Sequence, residues 1–184
     1  MAPTNDILRE YRDWLWQREQ TATAWRRAPL NGPISGRTWQ GFYSALEGGA
    51  SWARHVGWGY VANPAGGFQA MWWGFYPVEG GELYLQLQQR TLAVRVVVPD
   101  KGRRRALRNG WSQRVLSAAA DAGWGLRRPK HFGSGLYMAV AVWPDWWVVG
   151  EDGLVDLPGT LARLEALDAW VRRLADQGSS SSGT

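Results

Sequence analysis

Residues 57–98, GWGYVANPAGGFQAMWWGFYPVEGGELYLQLQQRTLAVRVVV, decide the fold. Apolar residues recur here with period two, the side-chain period of a β-strand. GWGYVAN reads as one strand, FQAMWWGFYPV as a second, LYLQLQ as a third and TLAVRVVV as a fourth. PAGG and EGGE are turns whose glycines tolerate positive φ. Links of hairpin length make consecutive strands antiparallel neighbours, so the sheet is a meander. Leu83, Leu85 and Leu87 share one face of the third strand, with Tyr84, Gln86 and Gln88 on the other. The fourth strand turns Leu92, Val94, Val96 and Val98 inward.

Outward from this block the period becomes helical. Residues 4–28 read as a helix, with Thr4 and Asn5 offering capping oxygens and Ile7, Tyr11, Trp14, Arg18 and Trp25 at helical spacing. Pro29 and NGPISG end it and mark the best candidate boundary in the chain. A second helix begins near Thr38 and carries Trp39, Phe42, Tyr43 and Leu46. Downstream, Asp100 is expected to cap a helix over 101–123 with Leu107, Trp111, Val115 and Ala118 on its buried stripe. LYMAVAVW is a fifth strand and WWVVG a candidate sixth, separated by Pro144-Asp145. Pro158 opens a last amphipathic helix with Leu161, Leu164, Leu167 and Val171. The expected architecture is α+β: an antiparallel meander sheet of five to six strands covered by helices. The expected division is an N-terminal helix over 1–30, an α+β domain over 31–177 and a disordered tail over 178–184, where GSSSSGT is low in complexity.

A chain of 184 residues, 45% hydrophobic and 20% charged, suits one self-folding domain. No run approaches the roughly 18 apolar residues of a membrane span, and the opening MAPTNDILREYRDW is charged, so a cytoplasmic protein with no membrane partner is expected. The absence of cysteine excludes disulfides, thiolate metal sites and thiol nucleophiles. With His55 and His131 the only histidines, no metal site and no cofactor is expected, and no nucleophile stands beside His55 to make it a catalytic base.

The net charge of +5 is unevenly distributed. Between residues 101 and 131, nine cations (Lys101, Arg103, Arg104, Arg105, Arg108, Arg114, Arg127, Arg128, Lys130) face Asp121 alone, a net +8 that leaves the remainder at −3. Such asymmetry is the footprint of a polyanion-facing surface, although an arginine-studded helix is also a common solvated face. The stretch 127–143, RRPKHFGSGLYMAVAVW, continues the cluster into a Gly-Ser-Gly loop that opens a strand. There His131 and Ser134 can donate to a phosphate that the glycines let approach. The candidate nucleic-acid contacts are therefore Lys101, Arg103, Arg104, Arg105, Arg108, Arg127, Arg128, Lys130, His131 and Ser134. A candidate ligand loop is NPAGGF, with Asn63, Gly66, Gly67 and Phe68; the competing reading makes it a turn that needs its glycines only for positive φ.

Fourteen tryptophans include the pairs Trp72-Trp73 and Trp146-Trp147. Adjacent strand residues face opposite sides, so each pair requires either that both faces of the sheet be covered or that one present an indole to a ligand. Bases and sugars both stack on indoles, and single-stranded nucleic acids pair such platforms with basic grooves.

Three stretches, GWGYVANPAGGFQAMWWGFY, ELYLQLQQRTLAVRV and GWGLRRPKHFGSGLYMAVAVW, resemble in order and spacing the portion that follows the nuclease core in bacterial proteins of the PD-(D/E)XK superfamily. The resemblance spans about residues 55–143 and implies an accessory portion. Cutting in that superfamily needs paired carboxylates for magnesium and an acid-x-lysine element. Two positions before Lys101 and Lys130 stand Pro99 and Arg128, so that element is missing, and Glu79, Glu82 and Asp100 flank turns. No catalytic residue is nominated, and the balance leans away from an enzyme.

The favoured expectation is a non-catalytic, phosphate-contacting module of a bacterial or phage restriction or defence system, bound to DNA or RNA. The alternatives are a protein-interaction subunit docking a nuclease or ATPase subunit through its Trp-rich surface, with Trp14, Trp16 and Trp25 poorly covered on the N-terminal helix, and a degenerate magnesium-dependent nuclease.

Overall fold

The computed structural model describes residues 4–63 and 66–180. The elements run α1 (Thr4–Ala22), a 3-10 turn (Ala24–Arg26), α2 (Gly36–Gly49), β1 (Gly57–Val61), β2 (Phe68–Val78), β3 (Gly81–Gln88), β4 (Thr91–Val97), α3 (Arg104–Ala122), β5 (Tyr137–Pro144) and α4 (Leu157–Ser180). The five strands form one antiparallel sheet in the order β1-β2-β3-β4-β5. The class is α+β with a meander sheet, as the period-two pattern requires.

Register explains which residues meet. Trp73 opposes Leu85 and Leu85 opposes Val94, while one residue along Trp72 opposes Gln86 and Gln86 opposes Ala93. The first set joins α2, α3 and α4 in a single core with Trp39, Phe42, Val115 and Leu167. Each fully buried Leu, Val or Phe contributes about 1.5–3 kcal/mol. None of Trp72, Phe75, Tyr84 or Arg95 belongs to that core. Helices thus cover one face, and the indole of Trp72 lies on the other.

Polar links set the angles of approach. Ser35 caps α2, its Oγ accepting the Thr38 amide at 3.2 Å. The buried Tyr43 hydroxyl accepts the Gln89 amide at 2.7 Å, pinning α2 to the β3–β4 turn. On α4, Asp168 accepts the Tyr76 hydroxyl at 2.6 Å. Burial holds the Asp168 carboxyl above its ordinary range; the Tyr76 bond and the charges of Arg172 and Arg54 oppose the shift.

One irregularity matters for the open face. Register shifts between Trp73 and Tyr76, where Gly74 has φ +99° and Phe75 φ +54°. A non-glycine residue held there costs on the order of 1–3 kcal/mol. The bulge re-aims Phe75, whose ring stacks on Tyr84 at 4.8 Å and 3°.

Several expectations are corrected. The boundary at residue 30 falls inside the core: Trp25 packs on Phe42 at 5.2 Å, and Leu30 is fully buried. Trp25 is therefore well covered, whereas Trp14 and Trp16 are exposed. The tail does not begin at 178, because α4 continues to Ser180. A Cβ at Gly178 would stand 2.6 Å from both Trp111 and Arg114, so glycine there lets the end of α4 lie against α3. Residues 181–184, the Pro64-Ala65 step of the first turn and the capping side chain of Thr4 lie outside the described residues. The candidate sixth strand reduces to a bridge between Val149 and Val155. Asp145 at φ +49° breaks the alternation, and Trp146 and Trp147 both turn into the core.

Candidate nucleic-acid interface

The basic stretches at 101–108 and 127–134 meet at α3. Asp100 does not cap that helix: its Oδ1 accepts the Gly102 amide at 2.8 Å, and the helix starts at Arg104 behind an Arg103 that makes no side-chain cap. The chain folds this way because an aspartate two residues before a glycine closes a local turn as readily as it caps.

The cations of the first stretch divide by what they touch. Arg103 pairs with Glu79 at 2.5 Å, which is the ion pair between described residues that involves the cluster. Arg104 directs Nε to the Val98 carbonyl at 3.0 Å and Nη2 to the Pro99 carbonyl at 3.3 Å, bracing the exit of β4. Lys101 and Arg105 are exposed. Arg108 is 9% exposed, and its Nη1 donates to the Gly133 carbonyl at 2.6 Å while Nε and Nη2 donate to Asn109 Oδ1 at 3.2 and 2.9 Å.

Arg108 is what brings the second stretch to the first. Its guanidinium lies 4.6 Å from the Phe132 ring centroid, and that of Arg128 lies 4.8 Å from the same ring. Upstream, Arg127 exchanges two backbone hydrogen bonds with Val142, at 2.8 and 2.9 Å, which ties the loop to the free edge of β5. Pro129 is buried, and Arg127, Arg128, Lys130, His131 and Ser134 are exposed. Between the loop and the outer side of α3 runs an open groove of about 650 Å³, lined by Asn109, Ser112, Gln113, Leu116, Ser117, Arg128 and Phe132. Amide and hydroxyl donors with one guanidinium are the groups that hold phosphate and sugar oxygens.

Of the ten residues nominated from sequence, Lys101, Arg105, Arg127, Arg128, Lys130, His131 and Ser134 thus remain at the surface. Arg103 is also exposed but is paired with Glu79, whereas Arg104 and Arg108 are spent on backbone carbonyls, and Arg108 positions its neighbours. The surface groups Asn109, Gln113 and Ser117 were missed. Their i, i+4, i+8 spacing on α3 was the available signal.

The NPAGGF loop is internally satisfied where described. The Gly66 amide donates to the Asn63 carbonyl at 3.0 Å, the Gly67 amide to Asn63 Oδ1 at 3.2 Å, and the Tyr60 hydroxyl to the Gly66 carbonyl. Gly66 and Gly67 have φ of +107° and +77°. The amides a ligand would need are taken, so Asn63, Gly66, Gly67 and Phe68 form a turn into β2. Of the three turn-flanking carboxylates, Glu82 stands opposite Val97 and Pro77 in the sheet, Glu79 pairs with Arg103 and Asp100 closes a turn onto the Gly102 amide. Compared with family models, curated proteins and solved structures, the chain matches none.

Proposed function

We propose that the chain is a non-catalytic nucleic-acid-contacting module, of the kind used in bacterial or phage restriction and defence, in which α3 and the 127–134 loop grip the phosphate backbone. The observation that carries this reading is the Arg108–Gly133–Phe132 linkage, which holds two separate basic stretches side by side. Lys101, Arg105, Arg127, Arg128 and Lys130 are exposed, and in this reading all five face one ligand. Arginine forks suit phosphate oxygens, and the groove adds neutral donors. The test is an anisotropy titration with duplex and single-stranded DNA and RNA at 50 and 200 mM salt. Five neutralised phosphates give a slope of about −4.5 in log K against log salt on duplex and about −3.5 on single strands. Absence of binding at low salt ends the proposal.

A second reading, a protein-docking module, is favoured by a separate observation. Along α1, Ile7, Leu8, Tyr11, Trp14 and Leu15 form an exposed apolar stripe at helical spacing, and Trp16 is 65% exposed. Light scattering over a range of concentrations tests it. Association that Leu8→Glu and Tyr11→Glu abolish supports docking, and a monomer at every concentration opposes it.

A further inference from the structure

The sheet face without helices carries a second cavity. Val61, Trp72, Phe75, Tyr84, Gln86, Arg95 and Tyr137, drawn from all five strands, line a cavity of about 390 Å³. That volume lies within the range of small-molecule pockets. Four of the seven lining residues are aromatic, and none is a carboxylate.

Three features make this more than a concave surface. The bulge at Gly74-Phe75 holds Phe75 at φ +54° and turns its ring onto Tyr84 at the cavity instead of into the core. Strain of that kind at a lined pocket is the usual accompaniment of a binding function. Room is also kept across β1, where a Cβ at Gly57 would stand 2.7 Å from the Trp72 Nε1 and nothing lies within 4 Å of one at Gly59. Finally, Arg95 is braced and forms no ion pair among the described residues. Its Nη1 donates to Gln86 Oε1 at 3.2 Å and its Nη2 to the Tyr137 carbonyl at 3.0 Å, while its Nε is buried without a partner. Gln86 Oε1 also receives the Tyr84 hydroxyl at 3.2 Å, so the amide oxygen fixes both groups. Burial pushes the Tyr84 phenol up to about 12, which keeps it a neutral donor.

A half-buried, positioned guanidinium with no carboxylate among the described residues lining its cavity is complemented by an anion, and flat aromatic walls are complemented by a flat ring. We propose that this cavity binds a planar aromatic molecule carrying one acidic group, with its ring against Trp72 and Phe75 and its acid directed to Arg95. The site is independent of the basic groove, and the proposal does not rest on the nucleic-acid reading.

Two acids separate the sources of that chemistry: indole-3-acetate for a free carboxylate and guanosine 5′-monophosphate for a nucleotide. Each is titrated calorimetrically into the full chain beside its neutral counterpart, tryptophol or guanosine. At least one acid is expected to bind, at least about tenfold tighter than its neutral partner, the factor one charge-assisted hydrogen bond supplies. Arg95→Met is expected to remove that preference, and Trp72→Ala to weaken acid and neutral ligand alike. Thermal melts of both variants establish that they fold, and Trp72→Ala serves alone should Arg95→Met fail to. The proposal is overturned if neither acid binds, if acid and neutral ligand bind equally, or if binding survives both substitutions.

Discussion

Replacing Arg108 with methionine keeps a long apolar stem in α3 and deletes the bridge to the 127–134 loop. The bonds to Asn109 stay within the helix, so the contacts that matter are the one to the Gly133 carbonyl at 2.6 Å and the ring contact with Phe132 at 4.6 Å. A hydrogen bond from a charged group contributes about 1.5–3 kcal/mol, and the exposure of Gly133 to water places this one at the low end. An exposed cation–π contact adds about 0.5 kcal/mol. The loop is therefore loosened by about 2 kcal/mol, roughly a 30-fold shift from docked toward released. Two of the five exposed cations, Arg128 and Lys130, ride on the part of the loop that is released, whereas Arg127 stays tied to Val142. Losing their concerted contact takes the duplex salt slope from about −4.5 toward about −2.7, whereas Arg105→Met, which removes one exposed charge, leaves about −3.6. Anisotropy between 50 and 200 mM salt reads the slopes, and hydrogen exchange over 127–135 reads the loop. The reasoning is refuted if Arg108→Met leaves a slope as steep as Arg105→Met does, or leaves the loop amides as protected as before.

Trp73→Ala is expected to cost about 3–5 kcal/mol in chemical denaturation, since its ring is fully buried in the core against Trp52. Trp72→Ala, one residue away on the open face, is expected to cost far less. Asp168 has a folded pKa raised by burial above its ordinary 3.8, so the stability it contributes is fully present below 3.8 and is lost as pH rises through the folded value. Asp168→Asn, which retains an acceptor for Tyr76, is expected to flatten that part of the stability curve, as melts from pH 3 to 8 would show. Gly178→Leu is expected to separate the end of α4 from Trp111 and to lower Tm by several degrees without changing the salt slope of binding.

The sheet was legible because its turns are short and its leucines alternate: one register satisfies Leu83, Leu85, Leu87 and Val94 at once. What local pattern could not show was which face the helices would choose. Alternation put Tyr84 and Gln86 opposite the leucines, but that their face stays open follows from α2, α3 and α4 all packing on the other side. The bulge at Phe75 was equally hidden, because Gly74 alone reads as an ordinary weak point in a strand. Charge clustering marks the two basic stretches that Arg108 joins through Gly133 and Phe132. It could not separate Arg104 and Arg108, spent on backbone carbonyls, from Lys101, Arg105 and Arg128 at the surface. Trp25 and Leu30 defeated the boundary at Pro29 for a similar reason: proline and glycine end a helix without ending a core.

The most direct test of a single phosphate-gripping surface is to replace Lys101, Arg105, Arg127, Arg128 and Lys130 together with glutamine and to measure binding of a fluorescent duplex at 50 mM salt. All five side chains are exposed, so the melting temperature is expected to hold within a few degrees while affinity falls by at least about two orders of magnitude. A folded quintuple variant that binds as tightly as the parent would contradict the account.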